Sequence, residues 1–464
     1  MEKKYKEVPF KIALIPVAFL LISLVLSLLV FDLGEAQIAM VVSAMFAGFI
    51  AIKYLGYEWS ELEEGILESI KVAMSAVLIL LIIGMVVGTW MLAGVVPTMI
   101  YYGLKILSPG IFLIATLIIC SIVSLATGSS WTTCATVGIA LMGVGQGLGV
   151  PVPMIAGAII SGAYFGDKMS PLSDTTNLAP AMAGCDLFEH IKHMIFTTGP
   201  SYIISLILFG ILGMKYAGQA LNQEGIDILL NGITSTFNVT PLLLLAPVFV
   251  IILVIKKIPA IPGLFGGVVI GGVFAYIFQG ASVGEILNVA NNGFTSNVGV
   301  KVVDKLLSRG GMQGMLWTVS LILCAMMYGG IMEKSGMLHA IAKKILSYTK
   351  DDGSLISAAV LTCISMNFIA SDQYLSIVIP GRMYKDAFDE RGLHPKNLSR
   401  VLEDSGTLVA PLVPWNTGGA YVMATLGLAP WTYVPFCFLC LINPIISMIY
   451  GYLGFTIEKV DKAA

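Results

Sequence analysis

Apolar segments of about 20 residues, separated by short polar stretches, dominate this sequence. The first, Ile12 to Phe31, has the length that a helix needs to cross roughly 30 Å of hydrocarbon, and it lacks the small-residue cleavage site of a signal peptide. Further apolar segments cover residues 36–53, 72–95, 200–216, 242–255, 263–278, 312–331 and 432–454. Charged residues make up 12% of the chain, about half the share of a soluble domain. We therefore predict an all-α polytopic membrane protein.

Composition and motifs exclude several other classes. The net charge is −2, and the basic residues form no stripe that would bind nucleic acid. Cys437 and Cys440 form a C-x-x-C inside an apolar run without a nearby His, which favours packing over metal binding. No H-E-x-x-H motif occurs, and Tyr164 stands where the G-x-G-D motif of aspartyl membrane proteases has its first Gly. Neither an enzyme nor a bound cofactor is predicted, and no nucleic-acid partner.

Four apolar stretches are interrupted by small and polar residues. Two are predicted to be re-entrant hairpins, at 111–149 and 355–387, and two are predicted to be broken spans, at 153–184 and 398–426. The interruptions lie near Gly128-Ser129-Ser130, near Gly166 to Pro171, near Ser371-Asp372-Gln373 and near Val409 to Trp415. Irregular backbone at membrane depth is tolerated only where it is buried in protein or lines a cavity. All four breaks are therefore expected to face inward.

The order of elements in the first half recurs in the second. Weak matches support this repeat: the acidic amphipathic stretch Gly56 to Gly65 with Gly280 to Gly293, Ala93-Gly94 with Ser335-Gly336, and Pro171-Leu172 with Pro411-Leu412. We predict a first repeat at 1–218, a connecting loop at 219–240 and a second repeat at 241–464. Each repeat would contain five spans, a re-entrant hairpin and a broken helix. Because five is odd, the second repeat would be inverted relative to the first.

The distribution of Lys and Arg predicts the orientation, because these residues concentrate in cytoplasmic loops. Under this topology only Lys105, Lys215, Lys301, Lys305 and Arg309 lie outside, Lys168 lies at depth, and the other Lys and Arg are cytoplasmic. Both termini are then cytoplasmic. Without a cleaved signal, the expected location is a cell (inner) membrane. If each hairpin instead crosses the membrane twice, these loops stay on the same sides. The distribution of Lys and Arg therefore does not distinguish re-entrant hairpins from full crossings.

Polar and acidic side chains gather at the breaks, and they form the candidate ion or substrate site. The candidates are Ser129, Ser130, Thr132, Asp167, Ser173, Asp174, Thr175, Asn177, Asp372, Asp404, Asn416 and Thr417. Hydroxyls, freed carbonyls and carboxylates are hard oxygen ligands, which suit sodium or a proton. A carboxylate that binds either one in competition provides the minimal chemistry of sodium/proton exchange. Asp167 and Asp174, with neighbouring hydroxyls and carbonyls, are the first choices for sodium.

Each acidic candidate also has a structural interpretation. Asp174 could only cap a half-helix that begins near Thr175, and Asp167 could pair internally with Lys168. Glu403 and Asp404 follow Arg400, where a solvated salt bridge at the cytoplasmic edge is the simpler expectation. Asp372 is interpreted as functional from its depth and from its symmetry with Ser129.

Two sequence runs resemble the signature of the NhaC family of sodium/proton antiporters, within the larger ion transporter superfamily. They are Gly128 to Thr133 (G-S-S-W-T-T) and Ile160 to Pro180 (I-S-G-A-Y-F-G-D-K-M-S-P-L-S-D-T-T-N-L-A-P). The resemblance extends over essentially the whole chain and includes Thr197-Thr198-Gly199-Pro200. It implies a secondary transporter in membrane lipid, with paired hairpins and a transport domain that moves past a scaffold in a homodimer. The family also includes a branch that exchanges protons and malate for sodium and lactate.

Two other transport activities remain open. A passive channel would also line a polar path, although broken helices in an inverted repeat are typical of alternating access. An exchanger of organic anions would usually need Arg, whose planar fork pairs with a carboxylate; Arg309, Arg382, Arg391 and Arg400 all lie near predicted span ends. Half-helix N-termini can nevertheless hold a carboxylate. The prediction is sodium/proton exchange, with an organic-anion antiporter of the malate/lactate type as the alternative.

Overall fold

The computed structural model describes residues 8–27, 31, 36–217, 223–256, 258–297, 304, 307, 308 and 310–460. This part of the chain is helical and contains no β-strand beyond an isolated bridge between Leu393 and Lys459. Seven of its helices are long and apolar enough to cross a membrane, or nine spans if two bent helix pairs count as one each. The predicted all-α polytopic class is confirmed.

Ten helices occupy the first half of the described chain. They are α1 (Phe10–Val25), α2 (Gln37–Ile50), α3 (Trp59–Leu92), α4 (Val95–Ile106), α5 (Pro109–Thr127), α6 (Ser130–Thr133), α7 (Ile139–Gly147), α8 (Val152–Met169), α9 (Asp174–Ala183) and α10 (Leu187–Ala217). Short π-helical segments extend α2 and join α6 to α7. The predicted first span extends beyond α1, and residues 28–30 of it lie outside the described residues.

Twelve further helices lie in the described part of the second half. Its helices are α11 (Gln223–Thr236), α12 (Leu245–Ile255), α13 (Ala260–Gln279), α14 (Val283–Asn292), α15 (Leu316–Lys334), α16 (Met337–Leu346), α17 (Asp352–Ile369), α18 (Leu375–Glu390), α19 (Pro395–Val401), α20 (Thr417–Leu426), α21 (Pro430–Tyr433) and α22 (Phe438–Leu453). A left-handed glycine separates α3 from α4, and another separates α15 from α16: Gly94 and Gly336, both at φ 75°. Lys301, Lys305 and Arg309, which the charge count used, lie outside the described residues.

Helix α3 differs from its prediction because it is one continuous helix of 34 residues. The sequence suggested a span at 72–95 with a separate amphipathic stretch before it. Glu58 and Glu61 form a capping box that starts the helix at Trp59, and no helix-ending turn follows before Ala93. The amphipathic stretch of the second half forms a separate short helix, α14, which Gly293 follows at φ 85°.

Three other predicted boundaries also change. The span predicted at 200–216 begins at Leu187, with Pro200 inside α10. The span predicted at 432–454 is bent by 60° between Pro430–Phe436 and Phe438–Leu453. The segment predicted as a connecting loop at 219–240 contains α11, while residues 218–222 lie outside the described residues. Helical hydrophobicity marks these segments in the sequence, but it does not show where neighbouring helices bend them.

Close packing of α5 against α8 positions the first two breaks. A Cβ atom on Gly162 would lie 2.3 Å from the Leu117 carbonyl oxygen, and one on Gly166 would lie 2.3 Å from that of Ser121. Small residues spaced four apart let two membrane helices approach this closely. The Ser124 hydroxyl also donates to the Ala163 carbonyl at 2.5 Å. The ends of α5 and α8, which carry the breaks, are therefore held side by side.

Candidate functional site

The four predicted breaks are present as interruptions of helical backbone. The first is Gly128-Ser129, the second is 170–173, the third is 370–374, and the fourth follows a 3-10 turn at Ala410–Leu412. The second begins later than predicted, because α8 continues through Met169. Asp167 and Lys168 therefore lie in the last turn of a helix rather than in irregular backbone.

The first and second breaks touch at Gly128. This residue has φ +66°, and a Cβ atom on it would lie 2.6 Å from the carbonyl carbon of Leu172. A glycine is therefore required twice, by the left-handed backbone and by the close approach of the second break. The contact brings the start of α6 next to the end of α8.

Asp167 is nearly fully buried at this junction, with 6% of its surface exposed. Its Oδ2 atom accepts hydrogen bonds from the Ser130 backbone N–H at 3.1 Å and from the Ser130 hydroxyl at 2.6 Å. Ser129 caps α6, because its hydroxyl oxygen accepts from the Thr132 N–H at 3.1 Å. The carboxylate of α8 is thereby fixed against the N-terminus of α6.

Asp174 is exposed and is the first residue of α9, whereas the N-cap is Ser173. The Ser173 hydroxyl accepts from the Thr176 N–H at 3.4 Å. The alternative in which Asp174 only caps the half-helix is therefore wrong. The Asp174 carboxylate interacts instead with the Tyr374 hydroxyl, which belongs to the third break, and with the charge of Asp167.

A cavity of about 580 Å³ opens beside these residues. Six candidates line it: Ser129, Thr132, Asp167, Ser173, Asp174 and Thr175. Gln373 and Tyr374 of the third break line it from the second half of the chain, and Ser75 lines it from α3. These three residues are not among the site residues predicted from the sequence. Gln373 and Tyr374 directly follow Asp372 in the break, but no sequence signal marked Ser75.

Four of the remaining candidates form hydrogen bonds within or between the breaks. Asn177 donates from Nδ2 to the Pro171 and Ser173 carbonyls at 2.9 and 2.7 Å. Asn416 caps α20, accepting from the Gly418 N–H at 3.0 Å, and donates to the Asn367 side-chain oxygen at 3.0 Å. The other two, Thr417 and Asp372, join the third and fourth breaks. The Thr417 N–H donates to the Ser371 carbonyl at 3.0 Å, and the Thr417 hydroxyl donates to Asp372 Oδ2 at 3.1 Å.

Asp372 shapes the start of α18. Its Oδ1 atom accepts from the Tyr374 N–H at 2.8 Å and the Leu375 N–H at 3.0 Å. The side chain is buried, with 1% of its surface exposed, and it does not line the 580 Å³ cavity. Asp372 thus lies behind the cavity wall that Gln373 and Tyr374 form.

Asp404 is fully buried in the π-helical segment Leu402–Thr407. It forms an ion pair with Lys168 and accepts hydrogen bonds from Thr197 Oγ1 at 3.1 Å and Asn443 Nδ2 at 3.2 Å. The expected salt bridge with Arg400 at a solvated edge is wrong, and so is the alternative in which Lys168 pairs with Asp167. The Arg400 guanidinium extends away, donating to the Thr456 hydroxyl at 2.9 Å.

Glu403 is the buried acid that the sequence analysis placed at the edge. Its side chain is fully buried, and neither carboxyl oxygen has a hydrogen-bond partner among the described residues. The charges of Lys168 and Asp167 act on its carboxylate, and the hydroxyls of Thr407 and Thr175 lie close enough to interact with it. A usable signal was present, because Glu403 to Thr407 is a polar run inside an apolar stretch. Because Glu403 lies three residues after Arg400, the sequence favoured a solvated salt bridge instead.

Comparison with known proteins bears on this site. Residues 162–455 match the family model described as the Na+/H+ antiporter family. The chain is 40% identical over 431 residues to the Na(+)/H(+) antiporter NhaC of Alkalihalophilus pseudofirmus, covering 93% of each protein. It is 38% identical to the malate-2H(+)/Na(+)-lactate antiporter of Bacillus subtilis, covering 96% of this chain and 94% of that one. It is 36% identical to the arginine/ornithine antiporter ArcD of Halobacterium salinarum, covering 98% and 94%.

Proposed function

The chain belongs to the Na+/H+ antiporter family, and we propose that it exchanges sodium for protons at the 580 Å³ cavity. The observation that carries this assignment is the position of Asp167. Its carboxylate lines the cavity and is held by two hydrogen bonds from Ser130. A second carboxylate, Asp174, lines the same cavity. Fixed carboxylates beside hydroxyls are the ligand type that sodium prefers.

The remaining ligands come from the breaks themselves. The side chains of Ser129, Thr132, Ser173 and Thr175 present hydroxyl oxygens at the cavity wall, and the interrupted helices offer backbone carbonyls there. A proton on Asp167 or Asp174 removes the negative charge that a sodium ion requires. Sodium and proton therefore compete for these carboxylates, and this competition couples the two fluxes in opposite directions.

An inverted repeat with re-entrant hairpins would supply the alternating access that exchange needs. The recurring order of helices supports the repeat, from α3-α4-α5 in the first half to α15-α16-α17 in the second. The charge distribution supports cytoplasmic termini and a cell-membrane location. A homodimer in membrane lipid, with a transport domain that moves past a scaffold, follows from the resemblance to the ion transporter superfamily.

Exchange of an organic anion is the second candidate, and the size of the cavity is the observation that favours it. A volume of about 580 Å³ falls within the range of pockets for small organic ligands and exceeds what one sodium ion fills. Against it, no Lys or Arg of the described chain lines the cavity. Lys168, the cation nearest in sequence to Asp167, is already paired with Asp404. Sodium/proton exchange is therefore the better supported function.

Proteoliposomes test the two candidates directly. With a pH-sensitive dye inside, an imposed sodium gradient should drive protons in the opposite direction, without malate or lactate. Asp167→Asn should abolish this movement. Asp186→Asn is the matched control, since Asp186 does not line the cavity and its Oδ1 atom accepts from the Phe188 and Glu189 N–H groups at the start of α10. Proton movement that requires malate or lactate would instead establish the organic-anion function.

A further inference from the structure

One buried acid takes no part in the site proposed above. The Glu403 side chain is fully buried, and neither carboxyl oxygen has a hydrogen-bond partner among the described residues. The charge of Lys168 acts on this carboxyl group, but the Lys168 ammonium is already paired with Asp404. An ionised carboxylate without hydrogen bonds is costly to bury, so a group in this position takes up a proton or a cation. The described side chains do not supply a cation for Glu403.

The surroundings of Glu403 suit a proton. The Thr407 hydroxyl lies in the same π-helical segment, close enough to interact with the Glu403 carboxyl group. It is also buried and also lacks a hydrogen-bond partner among the described residues. A protonated carboxyl group has an O–H donor, whereas an ionised carboxylate only accepts. One proton on Glu403 therefore removes a buried charge and provides a donor for the Thr407 oxygen.

Thr175 connects Glu403 to the 580 Å³ cavity. Thr175 lines the cavity, and Glu403 is not among the described residues that do. The Thr175 hydroxyl lies close enough to interact with the Glu403 carboxyl group, and it is 3.2 Å from the Ser173 hydroxyl at the cavity wall. A hydroxyl group accepts and donates hydrogen bonds at the same time. It can therefore relay a proton between Glu403 and the cavity, but it cannot relay a sodium ion.

The other titratable side chains around this segment form no hydrogen bond with Glu403. On α9 the titratable group is Asp174, which is exposed. The buried ones on the other helices packed against Leu402–Thr407 are His190, His193, Cys363, Tyr384, Arg400 and Cys440. Among the charged groups, Lys168 and Asp167 act on Glu403.

The charge of Asp167 couples Glu403 to the sodium site. Asp167 lines the cavity, and its charge acts on the Glu403 carboxyl group. Two nearby carboxylates repel one another, so an ionised and empty Asp167 keeps the proton on Glu403. A sodium ion at Asp167 cancels this repulsion and allows Glu403 to ionise. By the same coupling, a proton on Glu403 weakens sodium binding at Asp167.

We propose that Glu403 is a proton-binding site of this antiporter, separate from the sodium site, and that it releases its proton when sodium occupies Asp167. In this step the O–H bond of the Glu403 carboxyl group breaks and its electron pair stays on the carboxylate. The Thr175 hydroxyl accepts the proton and gives its own proton to water in the cavity. The inference rests on the proposed function and deepens it, because it assigns part of the exchanged protons to a group that sodium does not contact.

Infrared difference spectra of the purified protein test this without transport. In sodium-free solution, the C=O band of a protonated carboxyl group should appear in wild type and be absent from Glu403→Gln. Glu63→Gln is the matched control, because Glu63 is exposed on α3 and its removal should change only carboxylate bands. Saturating sodium should remove the Glu403 band from wild type but not from Asp167→Asn. Absence of this band from sodium-free wild type, or its persistence in wild type with bound sodium, would overturn the inference.

Transport by Glu403 variants gives the second test. Glu403→Gln should lose sodium-driven proton movement in proteoliposomes and still bind sodium in calorimetric titrations, because Asp167 is intact. Glu403→Asp keeps a titratable carboxyl group and should restore part of the movement, and Glu63→Gln should behave as wild type. Full proton movement by Glu403→Gln would overturn the inference and leave the proposed function standing. Equal loss in the Gln and Asp variants would also overturn it.

Thermal unfolding separates proton binding from a structural role. Glu403→Gln removes a buried ionisable group, so the variant should unfold at or above the wild-type temperature. A clear fall in unfolding temperature, or loss of sodium binding, would assign Glu403 to the fold and overturn the inference. If wild type shows the Glu403 band but no sodium-driven proton movement, the proposed function fails while the proton-binding site stands.

Discussion

Lys168 at the end of α8 and Asp404 in the π-helical segment form an ion pair across 236 residues of sequence, and both side chains are fully buried. Thr197 of α10 and Asn443 of α22 donate to the same Asp404 oxygen. One carboxylate thus joins four segments directly behind the cavity. Because Lys168 is paired with Asp404, its ammonium group is not free to bind a carboxylate substrate.

Breaking this pair should destabilise the protein strongly. Lys168→Met leaves Asp404 buried without its cation, which costs about 3–5 kcal/mol in other proteins. We expect a lower thermal unfolding temperature for the purified protein, by several degrees. The double variant Lys168→Met with Asp404→Leu should recover part of the loss, because no lone charge remains. Unfolding of Lys168→Met at the wild-type temperature would contradict this account.

Asp174→Asn should abolish sodium-driven proton movement in proteoliposomes while leaving the fold intact. The variant loses the charge at the cavity wall, but the cap of α9 belongs to Ser173 and is unaffected. Ser173→Ala is the complementary variant, expected to lower stability by about 1 kcal/mol through loss of the cap. Normal exchange by Asp174→Asn would remove Asp174 from the ion site.

Apparent sodium affinity should depend on pH. If sodium and proton compete for Asp167 or Asp174, acidification protonates the carboxylates and weakens sodium binding, by up to about tenfold per pH unit for one competing proton. By the same coupling, sodium should release protons from the purified protein in weakly buffered solution. Sodium titrations from acid to alkaline pH measure the first effect. An affinity that does not change with pH would point to separate sodium and proton pathways.

Gly128→Ala should destabilise the protein more than Gly149→Ala. Both glycines have positive φ, +66° and +75°, so both substitutions carry a left-handed backbone penalty of about 1–2 kcal/mol. Gly128 also lies against Leu172, whereas no atom of the described residues lies within 4 Å of a Cβ on Gly149. Thermal unfolding of both variants isolates the cost of separating the first two breaks. Equal losses of stability in the two variants would show that the contact between the first and second breaks contributes little.

Local patterns were sufficient for the class of protein and for much of the irregular backbone. Membrane-length apolar runs predicted the helices, and clusters of Gly, Ser and Pro predicted interruptions at Gly128, Ser371 and Pro411. The candidates Ser129, Asp167 and Asp174 came from the same clusters and do line one cavity. These inferences succeed because chain length, backbone propensity and the exclusion of polar groups from lipid act over a few residues or a single span.

Only the tertiary structure decided which charged and polar groups meet. The sequence placed Lys168 beside Asp167 and Asp404 near Arg400, yet the fold pairs Lys168 with Asp404 and buries Glu403 without a hydrogen-bond partner among the described residues. It also brought Gln373 and Tyr374 to the cavity of Asp167. Such pairings depend on how helices far apart in sequence cross and bend. Hydrophobic periodicity carries no information about those crossings, because side-chain packing between helices determines them.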